Sequence, residues 1–268
     1  MPVVFVAHGG GPWPFVPGLG EPSELAALTA HLRGIRDLVP AKPRALLVIS
    51  AHWEAPVPTV TTSAHPPMLY DYSGFPAETY KVKWPAPGDL ALADRARTLL
   101  EAAGFRTAAD SRRGYDHGTF VPLSVIYPEA EIPTVQLSLV QELDPSTHLA
   151  LGRALAPLRD EGVLIIGSGM SFHNMRAFGD PRAKSGAVAF DAWLREATEA
   201  EPRDRDLKLE QWEQAPSAQL AHPREEHLLP LMVIAGAAGD DRGVRTYSGT
   251  LFGMAVSGYA FGAPRNSA

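Results

Sequence analysis

The sequence predicts an α/β fold: a single domain with a mostly parallel central sheet flanked by helices. Two observations carry that prediction. Continuous Val/Ile/Leu runs at 2–7, 44–50, 133–139 and 162–167 read as strands buried on both faces. Helical patterns at about 22–38, 89–103, 146–160 and 185–200 alternate with them, the order expected of strand–helix–strand units. A chain of 268 residues, 45% of them hydrophobic, is large enough to close one core, so one catalytic domain over 1–268 is expected.

Taken in order, the first run, Val3-Val4-Phe5-Val6-Ala7, ends at His8 and Gly9-Gly10-Gly11. The second, Leu46 to Ile49, ends at Ser50-Ala51-His52. Between 52 and 88, turn formers such as Pro56, Pro66-Pro67, Gly74 and Pro87-Gly88 are interleaved with Trp53, Tyr70, Tyr72, Phe75, Tyr80 and Trp84. Proline-stiffened aromatic loops of this kind pack as ordered walls beside a site. The helix at 89–103 has Asp89 as its cap, an apolar face of Leu92, Ala93, Ala96 and Leu100, and Gly104 as its stop. The run Val163 to Ile166 leads through Gly167-Ser168-Gly169 to His173. The segment 201–221, charged and then weakly polar, suggests a surface excursion, after which Pro223 suits a first helical turn with Glu226 or His227 near its start. Gly249 to Gly258 suits one closing strand, antiparallel to its neighbour.

Composition narrows the function. No run reaches the roughly 18 to 20 apolar residues of a membrane span, and no basic stretch precedes the first apolar run, so a soluble, cytoplasmic protein is expected. A net charge of −6 with scattered cations argues against a nucleic-acid partner. With no cysteine in the chain, thiolate ligands, iron–sulfur clusters and a cysteine nucleophile are excluded, and any metal must be held by nitrogen and oxygen.

Nine histidines are available. His31 and His148 belong to helices and His65 to a proline loop, so none of the three is a site candidate. His8 and His52 each stop an apolar strand, and in open α/β sheets ligands sit beyond the carboxyl ends of the strands. With His227 from the last quarter they form a candidate metal site. His117, in Tyr115-Asp116-His117-Gly118, and His173 are candidates for proton transfer. The triple glycine after His8 lacks both the G-x-G-x-x-G spacing and a following Lys-Ser/Thr, and Pro12 interrupts any helix start, so a phosphate loop is rejected. The spacing around His222 and His227 is not that of H-E-x-x-H, which excludes a zincin protease.

Eight motifs in order resemble the class III extradiol ring-cleavage dioxygenases, in their DOPA-dioxygenase-like branch. They are Ala7 to Pro12, Ile49 to Trp53, Tyr70 to Pro76, Trp84 to Gly88, Tyr115 to Gly118, Val135 to Ser138, Gly167 to Gly169 with His173-Asn174, and Glu226-His227 with Leu229 to Leu231. The resemblance implies a catecholic substrate and O2, and a metal held by His8, His52 and His227. Protocatechuate-type members use a glutamate as third ligand, which keeps Glu226 in view. It further implies that His117 contacts substrate and moves protons, and that His173 is an acid/base or a supplementary ligand. Ferrous iron is the working metal the resemblance implies, and zinc is possible in purified protein. Trp53, Tyr72, Phe75 and Tyr115 are the expected substrate-binding residues. Two readings of the same histidines stand beside this one: a zinc hydrolase that activates water, and a metal-free binding module.

Overall fold

A computed structural model describes residues 1–263. Its strands are β1 (Val3–Ala7), β2 (Ala45–Ala55), β3 (Thr59–Thr61), β4 (Ala108–Asp110), β5 (Thr134–Val140), β6 (Val163–Gly169), β7 (Gly243–Leu251) and β8 (Met254–Phe261). The helices are α1 (Pro22–Gly34), α2 (Leu90–Ala102), α3 (His117–Ile126), α4 (Pro145–Leu155), α5 (Lys184–Glu199), α6 (Pro202–Glu210), α7 (Ala218–Ala221) and α8 (Leu229–Ala238). The eight strands form one sheet in the order β4-β3-β5-β2-β6-β1-β8-β7. Its centre, β5-β2-β6-β1, is parallel throughout, and these are the four strands expected from the apolar runs. Antiparallel pairing appears only beyond them, where β8 joins β1 and β7, and where β3 joins β5.

The strands form where burial rewards them. Every residue of β1, β5 and β6 is buried, and α8, apolar on all sides, is buried over its whole length. Asp89 caps α2 as expected, accepting from the Leu92 amide at 2.9 Å. Among the described residues no helix is long and apolar enough to cross a membrane.

Three expectations need correction. The run 249–258 is not one strand but the tip of the β7–β8 hairpin, turning at Phe252-Gly253, both with positive φ (51° and 78°). An apolar residue in the turn hid it. The 201–221 segment is not merely superficial, because α6 buries Arg205 and the following turn buries Trp212. Arg205 is tolerated inside because it donates to the Asp241 and Gly239 carbonyls at 2.9 and 3.0 Å and to Asp206 at 2.8 Å. Finally, no helix begins at Pro223; α8 begins at Leu229 with Pro230 in its first turn, so His227 lies in the loop ahead of it.

The carboxyl ends of β1, β2 and β6 therefore lie side by side. A bulge in β2, where its register against β5 shifts between Ile49 and Glu54, spans His52. Bulges re-aim the side chains they carry.

Candidate metal centre and active site

Five imidazoles meet at that edge. His8 follows β1, His52 sits in the β2 bulge, His117 opens α3, His173 lies four residues beyond β6, and His227 precedes α8. The rings of His8, His52 and His227 are 4.8 to 5.2 Å apart between centroids, and one nitrogen of each lies within 4.8 Å of the others. Close backbone approach makes this possible. A Cβ on Gly118 would come within 2.9 Å of the His52 ring, and one on Gly169 within 2.2 Å of the His227 carbonyl. That carbonyl accepts from the Met170 amide at 2.9 Å, tying the His227 loop to the end of β6.

Two imidazoles of the triad have Nδ1 hydrogen-bonded to an acceptor, and the third has a carboxylate beside it. His8 Nδ1 donates to the Gly9 carbonyl at 2.8 Å, and His227 Nδ1 to Glu226 Oε1 at 2.8 Å. His52 Nδ1 faces Asp71 Oδ2 at 3.6 Å. With the protons placed on Nδ1, the Nε2 atoms are left as lone pairs. Those of His8 and His52 are 3.2 Å apart, and that of His227 is buried with no hydrogen-bond partner. Two bare lone pairs at that distance repel unless a cation or proton lies with them, so the donor set fits a divalent metal. Burial first, and then the neighbouring histidines, hold all three pKa values well below 6.5. The three rings are neutral at pH 7 without help from a metal.

The remaining two histidines stand beside the triad. His117 lies 3.9 Å from His52 between centroids. Asp71, from the aromatic loop, accepts from both the backbone amide and Nδ1 of His117, at 2.9 and 2.8 Å. The carboxylate thus sits on the N-terminus of α3 and fixes the imidazole it begins with. Burial would raise Asp71, but the hydrogen bond and charge of His117 outweigh it and hold the carboxyl below its usual range. His173 stacks on His227 at 3.4 Å, with its Nδ1 3.6 Å from Glu226. Burial, then His117, brings His173 down to about 4. Glu226 aims its carboxylate at Nδ1 of His227 and His173, the outer nitrogens of those rings, and burial raises its pKa.

The cluster forms the floor of a cavity of about 440 Å³ lined by all five histidines together with Tyr72 and Phe75. Trp53 and Tyr115 do not line it. Trp53 stacks under the Arg113 guanidinium at 4.5 Å, and Tyr115 is fully buried against Trp84, donating to the Thr134 carbonyl at 2.8 Å. Their nearness to His52 and His117 in sequence is not nearness to the cavity. Asp71 and the orienting place of Glu226 escaped the sequence, as did Phe178 and Phe252, which complete the apolar wall. His148 accepts from the Val140 amide at 3.1 Å, His31 stacks on Tyr247 and His65 is exposed, all outside the cavity.

Residues 21–262 match the family described as the catalytic LigB subunit of aromatic ring-opening dioxygenase. The chain is 38% identical to dioxygenase tasH of Hapsidospora irregularis over 97% of its own length and 85% of the relative's. It is 47% identical to a 4,5-DOPA dioxygenase extradiol of Beta vulgaris over 75% of both chains, and 32% identical to one of Escherichia coli K12 over 88% and 85%. A crystal structure of an uncharacterized E. coli K12 protein superposes with a TM-score of 0.79 at 29% identity, covering 98% of this chain and all of that one. The chain belongs to the LigB family of class III extradiol ring-opening dioxygenases, and is an oxidoreductase.

Proposed function

We propose that this dioxygenase opens a catechol ring with O2 at a ferrous ion held by His8, His52 and His227. The observation that carries the reading is the convergence of one nitrogen from each of three imidazoles within 4.8 Å, with Nδ1 of His8 and His227 hydrogen-bonded behind and Asp71 beside Nδ1 of His52. Three neutral ligands on one side of an ion leave positions for both catechol oxygens and for dioxygen, as in other non-haem iron oxygenases. A bound ferrous ion would supply the redox chemistry that joins dioxygen to the ring.

The chain's own groups account for the protons and the positioning. Asp71 holds His117 with its proton on Nδ1, so Nε2 is the free base that takes a phenolic proton. His173, neutral at pH 7, is poised on the other flank to hydrogen-bond a polar atom at the centre, and the proton His117 has taken is the one returned as the ring opens. Tyr72 and Phe75 meet edge to face at 5.6 Å and offer the ring an aromatic wall that excludes water. Glu226 acts through His227, fixing its orientation as acceptors behind metal-bound histidines do.

Anaerobic loading with ferrous iron, followed by a panel of catechols in air, tests the proposal. Stoichiometric oxygen uptake with a yellow ring-opened product is expected. Hydrolysis of an ester or amide by a zinc-loaded form, without oxygen uptake on any catechol, would overturn it.

A further inference from the structure

The cavity is polar on one side only. Away from the histidines its wall is formed by Leu19, Phe75, Met175, Phe178, Leu251 and Phe252, and no acidic or basic side chain other than histidine lines it among the described residues. The Tyr72 hydroxyl is spent on the Thr79 carbonyl at 2.7 Å. Phe252 is held in place by its turn: its φ is 51°, its carbonyl accepts from the Gly179 amide at 2.9 Å, and its ring lies 5.2 Å from Phe178. Non-glycine residues are kept in that backbone region where the surroundings demand it. Met175, which lines the same wall, is 70% exposed, an apolar side chain left to solvent beside an apolar cleft. Arg176 and Arg224 line a neighbouring depression that shares His173 and Met175 with the cavity but lie outside the cavity lining, and Arg224 is paired with Glu54 at 2.6 Å.

A volume of about 440 Å³ has room for more than a bare catechol, and with the ring's oxygens at the histidines a substituent on the ring would face the apolar side. An ammonium and a carboxylate placed there would lose hydration and meet no counter-charge. An alkyl or aryl group would instead remove apolar wall from water. We propose that the substrate is a catechol bearing a neutral, apolar substituent, unlike the DOPA named for several relatives. The proposal rests on the ring-opening reading above and narrows it.

Three probes with equal carbon tails separate the possibilities: 4-propylcatechol, 3-(3,4-dihydroxyphenyl)propanoate and L-DOPA. Their binding is measured by calorimetry on zinc-loaded protein, where no turnover competes, and their kcat/KM on ferrous protein. Propylcatechol should bind and react at least about tenfold better than either charged probe. Met175→Arg, a change at an exposed position, should shift the preference toward the propanoate by about tenfold. Equal or better binding of L-DOPA or of the propanoate by the unaltered protein would overturn the proposal. So would a propanoate preference that disappears in Arg176→Met, which would place the tail in the outer depression. If nothing is turned over but propylcatechol still binds best, the ring-opening reading fails and the apolar subsite stands.

Discussion

The two halves of the cavity are built by opposite means. On the histidine side, rings are gripped from behind: His8 by the Gly9 carbonyl, His227 by Glu226, and His117 by Asp71. On the opposite side, Leu19, Met175, Phe178 and Phe252 present carbon to the cavity and are placed by backbone turns and mutual packing. The difference separates what must be exact from what can yield. Atoms that hold a metal or move a proton lose function when they move by about 1 Å, whereas the exposed Met175 side chain can adapt to a substituent.

The contrast is broken most severely at the floor. Replacing His8, His52 or His227 with alanine should lower metal affinity by orders of magnitude, read as ferrous stoichiometry after anaerobic loading and desalting. Any folded variant that keeps a full equivalent would remove that residue from the ligand set. One step outward, His117→Ala or His173→Ala should cut turnover by about 10² to 10⁴ while most of the iron stays bound. Loss of iron in the His173 variant would make it a fourth ligand, and unchanged turnover in the His117 variant would leave that ring a structural role. Asp71→Asn, which disturbs His117 and His52 from behind, should cost about 10- to 100-fold in metal affinity or activity, and more in kcat than in KM if His117 is the base. The smallest effect belongs to an aromatic outside the cavity. Tyr115→Phe removes the hydrogen bond to the Thr134 carbonyl and should lower stability by about 1 kcal/mol with kcat/KM unchanged, checked by urea unfolding beside steady-state rates. A raised KM would return Tyr115 to the substrate site.

Trp53 and Tyr115 show why half of the expected aromatic wall lay elsewhere. His52 faces the cavity, whereas the next side chain along β2, Trp53, leaves in another direction and meets Arg113 instead. Tyr115 ends the loop that enters α3 and packs inward under Trp84, while His117, two residues on, opens into the cavity. The aromatic loop did contribute a wall, but through Tyr72 and Phe75. Phe252 was hidden because it reads as a strand residue, although the Phe-Gly pair that turns the hairpin was available as a signal.

The sequence by itself determined the parallel centre of the sheet and the chemistry of the donors. Short apolar runs rich in β-branched residues, bounded by glycine and histidine, suit strands covered on both faces, and a chain without cysteine can offer a metal only nitrogen and oxygen. Runs that stop at a histidine then deliver His8 and His52 to one edge, because parallel strands end on the same side. Only the tertiary structure decided which nitrogen of each ring faces inward. That depends on acceptors brought from elsewhere, such as Asp71, which lies 46 positions from the His117 it orients. No local pattern encodes such a pairing, because a hydrogen bond depends on distance in space and the fold alone sets that distance.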